Sequence, residues 1–159
     1  MSDDGDVVTV ERMIPAPAEA IFAILRDPAR HREIDGSGTV RDAKGESQPL
    51  ELGSRFGMSM KMGLPYSMVS TVVEYEEDRR LAWQTRGPTP LGQYVAGRIW
   101  RYELEPVDGG TLVRESWDIT QESPLSKPIV RRGADATRRN MAATLERIED
   151  VLTAEAAAG

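Results

Sequence analysis

The chain has 159 residues, 40% hydrophobic and 29% charged, a composition typical of a folded globular protein. Its net charge of −6 disfavours nucleic acid as a partner, because an acidic surface is repelled by phosphate backbones. The lack of cysteine excludes disulfide bonds and thiolate chemistry. We expect a single domain over residues 1–159, with a core of about residues 7–152. A cytoplasmic location is expected, because residues 1–6 are acidic rather than signal-like and no apolar run is long enough to span a bilayer.

The N-terminal segment predicts one strand followed by two short helices. A strand is predicted over residues 6–14, because its first half contains three valines, a residue type favoured in strands. Pro15-Ala16-Pro17 ends that strand and opens a helix, since proline suits a first helical turn. Asp27 then predicts an N-cap, with Pro28 at the first position of a second helix that ends near Gly36.

From Arg55 onward the hydrophobic period changes to two, which predicts a series of strands. A loop over residues 36–53, with a short strand at 39–42, comes before them. The longer predicted strands cover residues 55–62, 66–76, 80–86, 95–105 and 111–120. In residues 66–76 both alternating sets contain apolar side chains, so the inward face of that strand stays ambiguous.

The last segment predicts a long amphipathic helix over residues 127–155, with Ser126 as its N-cap. Its predicted buried stripe consists of Met141, Thr144, Leu145, Ile148 and Leu152. Gly133 costs about 1 kcal/mol relative to alanine in a helix, so it predicts a bend or a close approach. The whole pattern predicts an α+β protein in which a curved antiparallel sheet wraps around the C-terminal helix, leaving a cavity between them.

With these elements in place, the chain resembles the START/Bet v-type superfamily of helix-grip proteins, within its polyketide cyclase/dehydrase-like group. The resemblance is carried by the segments Pro17-Ala18-Glu19-Ala20-Ile21-Phe22, Asp27-Pro28, Arg79-Arg80-Leu81-Ala82-Trp83 and Trp100-Arg101-Tyr102-Glu103-Leu104-Glu105-Pro106. It implies a sheet of about seven strands and an apolar cavity. The superfamily includes lipid carriers, hormone receptors, cyclases and co-chaperones, so the resemblance implies no single activity and no catalytic residue.

His31 is the only histidine, and it lies four residues before Asp35 in a helical pattern. A His–carboxylate pair can orient an imidazole for acid–base catalysis. The alternative is a surface histidine near a helix C-terminus. No second histidine lies near it in the sequence, so no metal site is expected.

An apolar lining is predicted from the strand alternation. Methionines at every second position form an adaptable strip that suits either core packing or a pocket wall. The predicted lining consists of Phe56, Met58, Met60, Met62, Trp83, Trp100, Trp117 and Met141.

Asp108-Gly109 predicts a tight hairpin between the last two strands. A two-residue turn would put Tyr102 opposite Glu115 and Trp100 opposite Trp117.

Three polar residues, Arg98, Tyr102 and Glu115, share the predicted inner phase of these two strands. Burying the charge of Arg98 there is costly unless the side chain is paired. The nearest candidate partner, Glu115, is about four residues out of register with it. Arg98 is expected either to reach Glu115 through a bulge or to contact a ligand's polar group at the open end of the cavity. An exposed arginine after a bulge at Gly97 is the third interpretation.

The leading functional hypothesis is binding of a small apolar or aromatic molecule, lipid or polyketide-like, between sheet and helix. The alternative is a cyclase or dehydratase of polyketide-like substrates, with proton transfer by His31, Asp35, Arg98, Tyr102 or Glu115. A co-chaperone is a third class, for which the loop at 85–94 gives little support. No cofactor is expected, because the sequence has no dinucleotide or phosphate-binding glycine motif.

Overall fold

The computed structural model describes residues 6–34, 40–44, 49–62, 64–86, 97–124 and 126–158. Within these residues, seven strands form one antiparallel sheet in the order β1-β7-β6-β5-β4-β3-β2. The strands are β1 (Val7–Ile14), β2 (Val40–Lys44), β3 (Arg55–Met62), β4 (Leu64–Glu76), β5 (Arg80–Arg86), β6 (Arg98–Val107) and β7 (Gly110–Asp118). Apart from the β1–β7 pairing, each strand pairs with its neighbours in the chain, as expected for strands joined by hairpins.

Two short helices follow β1, as predicted. The first is α1 (Ala18–Leu25), which begins directly after Pro17 and buries four apolar side chains. A 3₁₀ turn at Pro28–Arg30 and the single-turn helix α2 (His31–Ile34) come next. Asp27 caps the 3₁₀ turn as predicted, because its carboxylate accepts a hydrogen bond from the Ala29 backbone amide at 3.0 Å.

The C-terminal helix predicted over residues 127–155 is present but divided in two, at the glycine for which the sequence predicts a bend. The segment forms α3 (Lys127–Arg131) and α4 (Ala134–Ala158), separated by two residues that include Gly133. Glycine is a poor helix former, which explains why the break falls there. Ser126 precedes α3 as predicted, but its hydroxyl makes no capping bond and donates instead to Glu122 Oε2 at 2.6 Å.

The ambiguous strand β4 changes phase in the middle. Val72 is buried and Val73 is 38% exposed, and the pairing register with β5 shifts between Val72 and Glu74. After this irregularity Tyr75 lies on the core side, where its ring packs edge-on against Phe22 with centroids 5.6 Å apart. Neither alternating set could be inward throughout, since a register shift moves the later side chains to the other face.

The protein interior contains two apolar clusters. The large cluster joins α1, α2 and α4 to the middle of the sheet, and its buried members are Ile14, Ile21, Phe22, Ile24, Leu25, Ile34, Leu50, Val72, Leu81, Tyr102, Leu104, Val113, Leu145 and Ile148. The small cluster consists of buried Val8, Trp117, Ile119 and Met141, with half-buried Trp100, Val130 and Ala134 packed against them.

Helix α4 contributes to both clusters and contacts β1, β7, α1 and α2. Its predicted stripe is buried from Met141 to Ile148, whereas Leu152 is only half-buried. An ion pair between Arg12 of β1 and Glu149 of α4, 2.7 Å long, fixes the helix beside the sheet edge.

The predicted helix-grip architecture is confirmed, with a long C-terminal helix against a curved antiparallel sheet. None of the helices in the described part of the chain is long and apolar enough to cross a membrane.

Candidate functional site

The three tryptophans of the chain lie next to one another on the inner face of the sheet. Strand register places Trp83 opposite Trp100, and Trp100 opposite Trp117. Val72 and Val8 extend this set at its two ends, and we call the five residues the tryptophan row. Trp117 is 2% exposed, but Trp83 and Trp100 are only half-buried. Two large aromatic side chains are therefore accessible on the core-facing side of the sheet.

A buried polar pair lies one step further along the same face. The predicted hairpin register is confirmed, with Tyr102 opposite Glu115 and Trp100 opposite Trp117. The Tyr102 hydroxyl donates a 2.9 Å hydrogen bond to Glu115 Oε2, and the two residues are 5% and 2% exposed. Burying a carboxylate is costly without a donor, so this hydrogen bond stabilises the pair inside the large cluster.

His31 is buried, so its interpretation as a surface histidine is wrong. Its ring stacks on Trp83 with centroids 5.1 Å apart and meets the edge of Phe56 at 5.6 Å. His31 Nε2 lies 2.8 Å from the Leu25 carbonyl oxygen. A carbonyl only accepts hydrogen bonds, so Nε2 carries the proton of this hydrogen bond.

The buried partner of Arg98 is Glu122 rather than Glu115. Arg98 Nε lies 3.4 Å from Glu122 Oε1, and the Glu122 side chain is fully buried. Glu122 Oε2 accepts from Ser126, with a longer contact of 3.5 Å from Arg98 Nη2. Within the described part of the chain, Arg98 Nε and Glu122 Oε1 nevertheless have no hydrogen-bond partner. Such unsatisfied buried polar atoms cost about 1–3 kcal/mol, and more when charged.

Gly97 explains how the start of β6 comes so close to Glu122. Its backbone has a positive φ of 140°, and a Cβ there would lie 2.5 Å from the Gln121 carbonyl oxygen. The Gly97 carbonyl also accepts a 2.9 Å bond from Gln84 Nε2. Only glycine fits this approach without displacing the backbone of the following turn.

A pair of hydroxyls lies beside Arg98 in the strand register. Thr85 is opposite Arg98, and Ser70 is opposite Thr85 on the next strand. Their oxygens are 2.9 Å apart and both residues are buried. Polar side chains thus lie next to the tryptophan row, on the side of the sheet where β6 begins.

Apart from Arg98 and Glu115, the predicted site residues fall into three sets. Phe56, Trp83, Tyr102 and His31 are linked by ring contacts, whereas Trp100, Trp117 and Met141 meet in the small cluster. The side chains of Met58, Met60 and Met62, and all of Asp35, lie outside the described residues.

Glu122 is the residue that sequence reasoning missed. It follows the last predicted strand, in a stretch with no periodic pattern to mark an inward side chain. The sequence feature that could have indicated it is Arg98, an arginine on the inner face of its strand. Such a residue calls for a carboxylate nearby, and the strands have none in register with it. Among the residues the structure describes, no three histidine or carboxylate groups cluster as metal ligands.

The opposite face of the sheet is charged and half-exposed. Arg101 donates to both oxygens of Glu74, at 2.9 and 2.7 Å, and also lies 3.4 Å from Asp118. The Arg101 hydrogen bond is the main reason that the pKa of Glu74 lies below its ordinary value; burial opposes the shift and the positive charge of Arg101 adds to it.

Residues 6–153 match the family described as polyketide cyclase / dehydrase and lipid transport, and the chain belongs to that family. An uncharacterized protein of Mycobacterium tuberculosis, Rv0088, is 40% identical over 107 residues, which cover 66% of this chain and 44% of that protein. The chain thus spans under half the length of the curated relatives it matches.

Solved structures share the fold at low sequence identity. Protein Ms6760 of Mycobacterium smegmatis superposes with a TM-score of 0.72 at 18% identity, covering 97% of this chain and 95% of that one. DynU16, a protein of the dynemicin biosynthetic locus, gives a TM-score of 0.64 at 15% identity, covering 93% of this chain and 47% of its own. At these identities the likeness establishes the architecture and leaves the ligand open.

Proposed function

We propose that the protein binds a small apolar or aromatic molecule, lipid or polyketide-like, against the tryptophan row, between the sheet and the C-terminal helices. The main support is the uneven burial of the inner face. Leu81, Leu104 and Val113 are at most 5% exposed, whereas Trp83 and Trp100 on the same side are half-buried. A folded protein gains by covering such aromatic surface, and a flat apolar ligand would cover it.

The family gives independent support for this ligand class, since its description joins polyketide cyclases and lipid transport. Apolar contact with the tryptophan row would supply affinity, and the neighbouring polar groups would orient the ligand.

Tryptophan fluorescence tests the proposal directly. Titration with 1-methoxynaphthalene, an apolar ring without a hydrogen-bond donor, should change the emission and give a micromolar dissociation constant, about −8 kcal/mol. Trp100→Ala should weaken binding at least about tenfold, because it removes half-buried aromatic surface. Met13→Ala, an exposed residue on β1, is the matched control and should bind as wild type. Equal affinity of the Trp100 variant and wild type would contradict the proposal.

An enzyme of the cyclase or dehydratase type is the second candidate, and the position of the titratable groups favours it. Trp83 contacts His31 on one side and Tyr102 on the other, with ring centroids 5.1 and 5.6 Å apart, and Tyr102 is bonded to Glu115. A ligand against Trp83 would therefore have a candidate proton donor or acceptor on either side.

Binding and turnover, measured on the same preparations, separate the two functions. A poly-β-ketone thioester is a suitable test substrate, with His31→Ala, Arg98→Met and Glu115→Gln as variants. In a carrier these substitutions change affinity modestly, whereas in an enzyme turnover falls by about 100-fold or more while binding persists. We expect the carrier result for His31→Ala; loss of turnover with intact binding would favour the enzyme.

A further inference from the structure

We propose that Arg98 and Glu122 form a subsite for a hydroxyl group of the bound molecule, which makes the preferred ligand an apolar ring system bearing a phenol or alcohol. This inference rests on the proposed function and specifies its ligand class. It follows from two buried polar atoms, Arg98 Nε and Glu122 Oε1, which lie 3.4 Å apart and have no hydrogen-bond partner among the residues that the structure describes.

The two atoms have complementary requirements. Arg98 Nε can only donate a hydrogen bond, and the ionised Glu122 carboxylate can only accept one. A hydroxyl does both, so one oxygen can accept from Arg98 and donate to Glu122. An ether or ketone can satisfy only the arginine, and a ligand carboxylate would be repelled by Glu122.

The surroundings hold this pair in place. Ser126 donates to the other oxygen of Glu122 at 2.6 Å, which orients the carboxylate from the side of α3. Gly97 allows the start of β6 to approach the backbone at Gln121. Donor and acceptor are therefore positioned by the backbone on one side and by a fixed hydrogen bond on the other, as a recognition site requires.

The pair also adjoins the surface proposed to bind the ring. Trp100 lies two residues beyond Arg98 in β6, on the same face of the sheet. The Arg98 side chain is 27% exposed, although its Nε atom is buried, and Glu122 is fully buried behind it. A ligand hydroxyl would therefore reach the pair by displacing the exposed end of the Arg98 side chain. A ring against Trp100 would thus direct a hydroxyl substituent towards the polar pair.

The test compares two ligands that differ in one group, 1-naphthol and its methyl ether 1-methoxynaphthalene. Wild type should prefer 1-naphthol at least about tenfold, as expected for hydrogen bonds to charged groups. Glu122→Gln should reduce this preference to about threefold or less, with methoxynaphthalene affinity unchanged. Arg98→Lys keeps the charge but removes the Nε donor, so it should weaken the binding of both ligands, whose oxygens both accept from arginine. This variant provides a second measurement if the Glu122 variant fails to fold. Glu103→Gln, in a half-exposed carboxylate paired with Arg80, is the control and should keep the wild-type preference.

The outcomes distinguish this inference from the proposed function. Equal affinity of wild type for both ligands, a preference that survives in folded Glu122→Gln, or unchanged affinity for both ligands in Arg98→Lys overturns the hydroxyl subsite and leaves apolar binding intact. Failure of wild type to bind either ligand overturns the proposed function and the subsite together.

Discussion

The two apolar clusters of this protein differ in the number of their buried side chains and in the polar groups beside them. Among the described residues, the large cluster has fourteen buried members, and Tyr102 within it donates a hydrogen bond to the buried Glu115. The small cluster has four buried members, with half-buried Trp100 packed against them and the Arg98–Glu122 ion pair at the start of the same strand, β6. The large cluster is organised as a core, whereas the small one adjoins the aromatic and polar groups that are proposed to contact a ligand.

The helix break at Gly133 belongs to the second region. Val130 of α3 and Ala134 of α4 both pack against the small cluster, so the two helices meet the sheet where Trp100 lies. Ser126, directly before α3, donates to Glu122 Oε2 at 2.6 Å, so this short helix begins beside the candidate site.

The largest effect is expected from removing both helices. Deletion of residues 127–159 takes Met141, Leu145 and Ile148 out of the two clusters, each at most 1% exposed. We expect an aggregated or molten chain without a cooperative thermal transition, measured by near-ultraviolet circular dichroism and light scattering. Deletion of residues 156–159 removes only the last few residues of the chain and should leave the melt unchanged. A truncated monomer that melts cooperatively would contradict the helix-grip account of stability.

The next prediction separates core from site. Leu145→Ala should lower the free energy of unfolding by about 2–5 kcal/mol, because it opens a cavity in the large cluster. Affinity for 1-methoxynaphthalene should stay at the wild-type value in this folded variant. Urea denaturation measures the free energy of unfolding, and fluorescence titration measures the affinity. The control is Met13→Ala at an exposed position, which should change the free energy of unfolding by less than about 0.5 kcal/mol. A loss of affinity as large as that of Trp100→Ala would show that the two regions do not act separately.

Sequence reasoning predicted most of the fold because alternation and turn residues act locally. The strands at 55–62 and 80–86 match to the residue, and Asp108-Gly109 determined the register that places Trp100 beside Trp117. A register shift within β4 was not predictable, since valine at both 72 and 73 suits either face.

Only those residues of the candidate site that lie on strands could be predicted from the sequence. Arg98 was recognised as an inward charge that needed a partner, but Glu122 lies in a turn without periodicity. His31 is the only histidine of the sequence, yet its burial depends on tertiary contacts with Phe56 and Trp83, 25 and 52 residues further along the chain. Long-range contacts of this kind leave no local pattern.

A smaller effect is expected for His31, which borders both core and site. His31→Ala removes its stacking on Trp83 and its hydrogen bond to the Leu25 carbonyl, so stability should fall by about 1–3 kcal/mol. His31→Phe keeps a ring against Trp83 but lacks the donor, and the difference between the two variants isolates the stacking contribution. Urea denaturation gives both values. If neither variant is destabilised, the buried position of His31 is not maintained in solution.

The smallest predicted effect lies on the outer face of the sheet, where neither cluster is involved. The pKa of Glu74 is lowered mainly by its hydrogen bonds from Arg101, so the ionised form is favoured in the folded state. Its contribution to stability is therefore present above the unfolded pKa of about 4.3 and is lost as pH falls through the lower folded pKa. Because Glu74 is partly exposed, solvent screening limits this contribution to about 0.5–1 kcal/mol at pH 7.

Urea denaturation of wild type and Glu74→Gln between pH 7 and pH 3 measures this contribution. The difference in unfolding free energy should be constant near neutrality and shrink below about pH 5, because the carboxylate of the unfolded chain has the higher pKa and is protonated first. Glu76→Gln, whose carboxylate is 65% exposed and 4.0 Å from Arg79, is the matched control and should show no such change. Ligand affinity should be unaffected in both variants, because Glu74 lies on the face opposite the tryptophan row. A difference between wild type and Glu74→Gln that is the same at pH 7 and pH 3 would mean that the Arg101 pairing does not favour the ionised carboxylate in solution.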